Sequence, residues 1–376
     1  MPAAELRAAP LSPIVIRLGS FGDMLNLSAL LHFLHRRYGR PCVVVGCGPW
    51  NQPVYLDNPD VARVWVLHRY LPLLLAPGGW RLLAALRRSR PAPVYVCDDD
   101  KRLRRVQRLL RLSGIDRRRC TFIGDAAPRE GEHHVDHLIR FGEQTPAALR
   151  ADSYPVPEAT PAYAHLPRVR EGERAALAEW LAARDWGGRP LILVQPGNRR
   201  TMSTRRARHR RLNRDDKAWP AQRWIELFHR IHARMPQALI VLCGARQEVP
   251  MLQQLRAAAQ LDAVVVESLG LRPLFALCEA AHSMISIDTG PAHAAAALGL
   301  PLVVLFGGQP QSRWLPRSAA GTPVVALGGP PVSSHVERIP VEAVFEAWCS
   351  LAGAPRLTRS GSAPDALPAA QRALSP

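Results

Sequence analysis

The chain has 376 residues, 47% hydrophobic and 21% charged, a composition that specifies a folded protein and excludes a disordered one. At about 150 residues per domain, the length predicts two or three domains and enough chain for two full cores. Lys and Arg number 49 against 31 Asp and Glu, and the formal charge of +18 points to a polyanionic partner: nucleic acid, an anionic membrane surface or a phosphorylated substrate. All but two of the basic residues are arginine, a skew that reads as compositional bias and singles out Lys101 and Lys217.

The seven cysteines (42, 47, 97, 120, 243, 278 and 349) are scattered, form no C-x-x-C pair, and several sit in apolar runs. That pattern predicts a reducing compartment and argues against a zinc site. No basic segment followed by an apolar one opens the chain, and no uncharged apolar stretch is long enough to span a bilayer. The expectation is a soluble, cytoplasmic protein able to touch a membrane surface.

In chain order, short apolar runs alternate with helix-length amphipathic segments, which predicts parallel α/β sheets. Strands are expected at 14–18, 42–45, 63–67, 93–97 and 121–124, with helices at 24–38 and 100–112. A second series has strands at 191–195, 238–242, 263–266, 284–287 and 302–306, with helices at 220–234, 246–259, 271–281 and 291–298. The proline-rich segment 153–172 between them reads as a linker. The expected organisation is an N-terminal α/β domain (1–165), a C-terminal α/β domain (166–352) and a disordered tail (353–376). Two such halves leave a ligand cleft at the carboxyl ends of both sheets.

Three segments carry candidate chemistry. In "IVIRLGSFGDML", a strand runs into the flexible turn Gly19-Ser-Phe-Gly22 and a helix opens near Asp23. Glycines there allow close backbone approach, and the free N–H groups at a helix start attract anions. Asp23 is either a first-turn acid on the helix dipole or a carboxylate able to take a proton from a substrate hydroxyl. The spacing is not that of a dinucleotide fingerprint.

In "SMISIDTGPAHAAAALGLPLVVLFG", a buried strand runs into Asp288-Thr289-Gly290-Pro291 and an alanine-rich helix carrying His293. Pro291 suits a first helical turn, Gly290 opens backbone N–H groups, and Thr289 adds a hydroxyl donor: a device for holding a diphosphate, or else a tight turn with an acid cap. In the third segment, Gln195-Pro-Gly197 leads into an arginine-rich stretch (199–214) and then "DDKAWP", where Lys217 is either a chance survivor of the arginine bias or a point-charge donor suited to phosphate.

Two further patterns compete as metal sites. "CDDDK" (97–101) holds a D-x-D, read here as a turn and helix cap; "HHVDH" (133–137) holds ligand-type residues on one face of an expected helix.

With these residues assembled, the chain resembles glycosyltransferase family 9, the ADP-heptose:lipopolysaccharide heptosyltransferases and their relatives, over about residues 14–350. Residues 283–316 are similar to the family's D-T-G-P-x-H-x-A-A-A-x-G-x-P motif. "IRLGSFGDML" resembles its R-L-S-S-L-G-D opening with Gly19 and Phe21 as substitutions, and "DDKAWP" resembles its Lys-Trp-Pro element. The arginine-rich insertion at 199–214 departs from the family, so Thr201 and Thr204 both stand as candidates for its loop threonine.

The resemblance implies a GT-B fold of two Rossmann-like domains with parallel sheets facing across a cleft, the N-terminal one on the acceptor side and the C-terminal one binding the nucleotide sugar. It also implies inverting, metal-independent transfer of a sugar, ADP-heptose being the implied donor, onto a lipopolysaccharide core or related glycan. No cofactor beyond the nucleotide sugar is implied. Carried over, Asp23 is the general base and Lys217 neutralises the diphosphate. Thr289, Gly290 and His293, with Gly197, line the donor site; Asp288 binds donor-sugar hydroxyls; Gly19 and Gly22 shape the acceptor loop. A relative using another nucleotide sugar is the alternative. From a different class, an arginine-rich polyanion-binding protein draws on the net charge, but no aromatic-interleaved basic element supports nucleic acid. With the resemblance, the basic stretches near 87–90 and 101–111, beside apolar 70–80, predict a face that docks on an anionic glycolipid at the inner leaflet, peripheral on the inner face of the inner membrane.

Overall fold

The computed structural model describes residues 9–68, 76, 78–89, 91–98, 102–157, 167–198 and 217–351. The arginine-rich segment 199–214 with Thr201 and Thr204, Lys101, part of the linker and the tail from 353 lie outside the described residues.

The first sheet is built from β1 (Ile14–Ile16), β2 (Cys42–Cys47), β3 (Val61–Leu67), β4 (Val94–Val96) and β5 (Cys120–Phe122). All its neighbours pair in parallel, in the order β3-β2-β1-β4-β5. The second contains β6 (Leu191–Gln195), β7 (Leu239–Cys243), β8 (Val264–Glu267), β9 (Ser283–Ile287), β10 (Leu302–Phe306) and β11 (Val324–Gly328). It too is parallel, in the order β11-β10-β9-β6-β7-β8. Central strands such as β1, β6, β9 and β10 are buried at every position, because helices cover both faces; hence they read as unbroken apolar runs rather than alternating ones.

On the first sheet, α1 (Phe21–Tyr38) and α5 (His134–Gly142) pack on one face, while α3 (Gly79–Arg88) and α4 (Leu103–Ser113) cover the other. A short α2 (Asn51–Val54) follows β2. The long α1 ends at Gly39, whose φ of 74° lets its N–H bond back to the His35 carbonyl at 2.8 Å. In the second half, α6 (Glu171–Ala182), α7 (Ala221–Arg234), α8 (Val249–Ala259), α9 (Leu271–Ala280), α10 (Gly290–Ala297), α11 (Gln311–Trp314) and α12 (Val341–Leu351) surround the sheet.

Strand positions match the apolar runs to within two residues at each end. The strand β11 and the helices α3, α6 and α12 were not expected. β11 is only half-buried along its length as an edge strand, so its apolar signal is weak.

In each sheet the chain order reverses at an interior point: at β1, with β2 on one side and β4 on the other, and between β6 and β9. Such reversals splay the following loops apart and leave a crevice at the strand ends. The loops after β1, β6 and β9 contain the candidate residues.

A core cluster crosses from one half to the other. Phe21 of α1 stacks on Phe275 of α9 with ring centroids 6.0 Å apart, and Ala294 of α10 joins the cluster around α1. Within the second half, Trp224 on α7 is 1% exposed and meets Trp219 edge-on at 4.7 Å; the Trp219 indole N–H donates to the Ile339 carbonyl at 2.9 Å. Trp224→Ala should lower the unfolding free energy by about 3–5 kcal/mol, read as a lower urea midpoint of the second half.

Candidate active site

The turn after β1 is organised by a buried polar cluster. Asp98, at the end of neighbouring β4, accepts the Leu18 N–H at 2.7 Å, and Arg17 donates from one nitrogen to the Cys97 carbonyl. Asp98 thereby ties the end of β4 to the glycine turn; Asp99 and Asp100 of the same pattern lie outside the described residues. Arg17 then donates to Asp23 Oδ1 at 2.9 Å, while the Ser20 N–H donates to Asp23 Oδ2 at 2.6 Å. Asp23 is thus a first-turn acid of α1, closing back on the Ser20 N–H.

Gly19 is what makes room for it. A Cβ added there would lie 2.6 Å from Asp23 Cβ and 2.9 Å from its Oδ2. Burial pushes the Asp23 pKa up, but Arg17 and the Ser20 N–H outweigh it and hold the group below the ordinary carboxylate value.

After β9, Thr289 caps α10 and Pro291 occupies its first turn. The Thr289 hydroxyl donates back to the Ile287 carbonyl at 3.2 Å, so that donor is spent on the turn and the free groups are backbone N–H. Lys217 Nζ donates to Asp288 Oδ2 at 2.5 Å and to the Asp288 carbonyl at 3.0 Å. Gly197 is buried past the end of β6, and its carbonyl accepts from the Gln195 side chain at 3.1 Å. Because Gln195 pairs in register with Ser286, the loops bearing Gly197 and Asp288 leave the sheet side by side.

The two halves meet start to start. A Cβ built on Gly22 would sit 3.1 Å from Cδ2 of His293 and 3.3 Å from Cα of Gly290; one built on Gly290 would strike the Phe21 ring and come 3.1 Å from the Gly22 nitrogen. The first turns of α1 and α10 are therefore in contact. Burial keeps His293 neutral: it lowers the pKa, against the fields of Asp288 and Asp23 and with that of Lys217.

A second seam lies alongside. "HHVD" at the start of α5 grips "WLPR" of the other half. His133 Nε2 bonds the Leu315 carbonyl at 2.9 Å, His134 packs on Trp314 at 4.5 Å, and Asp136 takes both nitrogens of Arg317 at 2.7 and 2.6 Å. Burial pushes the pKa of His133 down to about 4 and that of His134 to about 3. His134 Nδ1 is buried without a hydrogen-bond partner among the described residues, and the ring feels the fields of Arg17 and Asp23. Among the described residues, no group of three or more His, Cys, Asp and Glu side chains is arranged to hold a metal.

Arg17, Asp98, His134 and Trp314 are site residues that sequence reasoning passed over. Arg17 and Trp314 stood inside the quoted motifs; Asp98 and His134 were hidden among the metal-like patterns.

Two parallel α/β halves that meet at the carboxyl ends of their strands make the GT-B fold. The solved structures agree. "E. coli ADP-heptose lps heptosyltransferase II" superposes with a TM-score of 0.66 at 20% identity, over 91% of this chain and 98% of that one. The family 9 glycosyl transferase from Veillonella parvula DSM 2008 gives 0.68 at 17%, over 92% and 98%. The E. coli heptosyltransferase WaaC with ADP gives 0.57 at 18%, over 91% and 100%. At such identities the likeness establishes the fold, which the UDP-GlcNAc 2-epimerase of Methanocaldococcus jannaschii shares at 0.52 and 13% identity, over 92% and 94%.

No curated protein matches the chain in sequence. The sequence profile of glycosyltransferase family 9 (heptosyltransferase) matches residues 128–330, and the chain belongs to that family. Membership makes it a glycosyltransferase, a distinction that the fold shared with an epimerase does not draw.

In a carbon-detected NMR titration, Asp23 should titrate below about 3.9, the ordinary Asp value. Arg17→Ala should move it upward, since burial is then opposed chiefly by the Ser20 N–H. The unfolded chain takes up this proton at higher pH than the folded one. The associated stability is thus complete above the ordinary Asp value and is lost as pH falls through the lower, folded-state value; an unshifted titration in the variant would remove Arg17 from this role.

Proposed function

We propose that the protein transfers a sugar with inversion from a nucleoside-diphosphate donor, an ADP-linked heptose, to a hydroxyl of a lipopolysaccharide core or related anionic glycan. The observation that carries this reading is the contact of Gly22 with Gly290 and His293, which brings a carboxylate-bearing helix start against a diphosphate-type turn.

The acceptor hydroxyl attacks the anomeric carbon from the face opposite the leaving group; its proton passes to Asp23 as the new C–O bond forms and the sugar–phosphate bond breaks. A depressed pKa suits a late transfer, because the hydroxyl becomes acidic only as its oxygen bonds to an oxocarbenium-like carbon. Holding Asp23 on two donors fixes the carboxylate in position before the acceptor arrives.

The departing diphosphate is met by two positive helix ends, at α1 and α10, and by Lys217. Lys217 already lies on Asp288, so a bound donor would share the ammonium between phosphate and Asp288, leaving Asp288 to accept from sugar hydroxyls. With this counter-charge supplied by the chain, we read the transfer as independent of a metal or other cofactor. Neutral His293 would donate from its ring without repelling Lys217.

Two measurements test this. In a thermal-shift panel, ADP should raise the midpoint more than UDP, GDP or CDP; a larger shift with another nucleotide would reassign the donor. Asp23→Ala should reduce transfer by at least about 10²-fold while leaving nucleotide affinity unchanged, whereas Lys217→Ala should weaken ADP binding. Retained transfer in the first variant, or an unaltered dissociation constant in the second, refutes the corresponding role.

A further inference from the structure

Outside the crevice, the described residues carry one strongly one-sided surface. Residues 61–97 and 102–115 contain no Asp or Glu. Within them, α3 and α4 pack side by side on the first sheet, burying Leu82, Leu83 and Leu86 of one and Val106, Leu109 and Leu110 of the other. What faces outward is Arg81, Arg87, Arg88, Arg104, Arg108 and Arg111. Several arginines elsewhere are matched: Arg140 with Glu132, Arg174 with Glu279, Arg230 with Glu226 and Arg272 with Glu173. Among the described residues, Arg81, Arg88, Arg104, Arg108 and Arg111 of this layer take part in no ion pair, and Arg87 donates to the Leu112 carbonyl at 2.9 Å.

The same layer holds exposed apolar groups. Trp80 is 63% exposed and Leu112 40%, and Val66 at 39% borders the pocket that Gly79 also lines. A free face of arginines with an indole and aliphatic groups at its margin is the composition of an interfacial surface: guanidinium groups pair with lipid phosphates while tryptophan enters the headgroup boundary. Trp80 lies just beyond the carboxyl end of β3, the same end of the sheet from which Asp23 emerges.

We infer that the α3–α4 face docks on an anionic phospholipid bilayer, with Trp80 inserted at the crevice-side edge. The inference deepens the acceptor side of the proposed function, since a bilayer held there presents a membrane-borne acceptor to the crevice. A nucleic acid would pair with the same arginines, but gives no reason for apolar groups at the margin of the face.

The test uses the full-length protein and vesicles of phosphatidylcholine with 30% phosphatidylglycerol. The protein should float with these vesicles at 50 mM salt, be released at 500 mM, and ignore pure phosphatidylcholine. Brominated lipid should quench a fluorescence component that Trp80→Phe removes. Arg104→Gln/Arg108→Gln/Arg111→Gln should weaken partition by about 10²-fold, whereas the equally exposed set Arg246→Gln/Arg256→Gln/Arg338→Gln should leave it intact. No flotation, equal loss in both triple variants, an unquenched Trp80, or salt-sensitive RNA binding in place of vesicle binding would each overturn the inference. The ADP thermal shift is indifferent to these surface changes, so failure here is separable from failure of the proposed reaction.

Discussion

The contact between the first turns of α1 and α10 is the constraint on which the rest depends. Two helix starts carry like partial charges, and bringing them together costs free energy unless anions lie nearby. Asp23 and Asp288 supply those anions, one on each side. The approach is possible only because Gly22 and Gly290 lack side chains, and because Phe21 passes over the junction to stack on Phe275. A side chain at Gly290 would strike the Phe21 ring, and one at Gly22 would press His293 and Gly290 back by a few tenths of an ångström.

Around that junction, each charged side chain is restrained by a neighbour from a different element. Asp98 fixes the turn after β1, Arg17 spans Asp98 and Asp23, and Gly19 leaves space for the Asp23 carboxylate; across the gap, Lys217 holds Asp288. A site assembled in this way pays little reorganisation when a ligand arrives, which is where electrostatic stabilisation is most effective. The grip of "HHVD" on "WLPR" adds a second inter-half anchor beside the first and sets His134 close to Asp23. A segment with metal-ligand residue types thus turns out to serve the seam: His133 and Asp136 are occupied by the opposite half.

Much of the architecture was legible because buried parallel strands must be apolar on both faces. "LILVQ", "SMISI" and "LVVLF" announce β6, β9 and β10 without ambiguity. The half-buried edge strand β11 gave no comparable signal, and α3 lay behind an apolar run that blurred its start. The candidate residues Asp23, Lys217, Asp288, Gly290 and His293 were legible because each sits where a strand, a glycine or proline and a polar group coincide. Arg17 and Asp98 were not. Their importance comes from a contact between residues some 80 positions apart, and no local pattern encodes such a pairing.

The sequence by itself determined the strand and helix series, the glycine turns and the family to which they belong, because those follow from local periodicity and from backbone freedom that only particular residues allow. Tertiary structure decided the rest. It brought Gly22 to His293, turned the Thr289 hydroxyl inward, gave Asp98 to the β1 turn, and turned Arg81, Arg88, Arg104, Arg108 and Arg111 of α3 and α4 out to solvent. Those outcomes depend on which surfaces face each other once two sheets have packed, and distance along the chain carries no record of that.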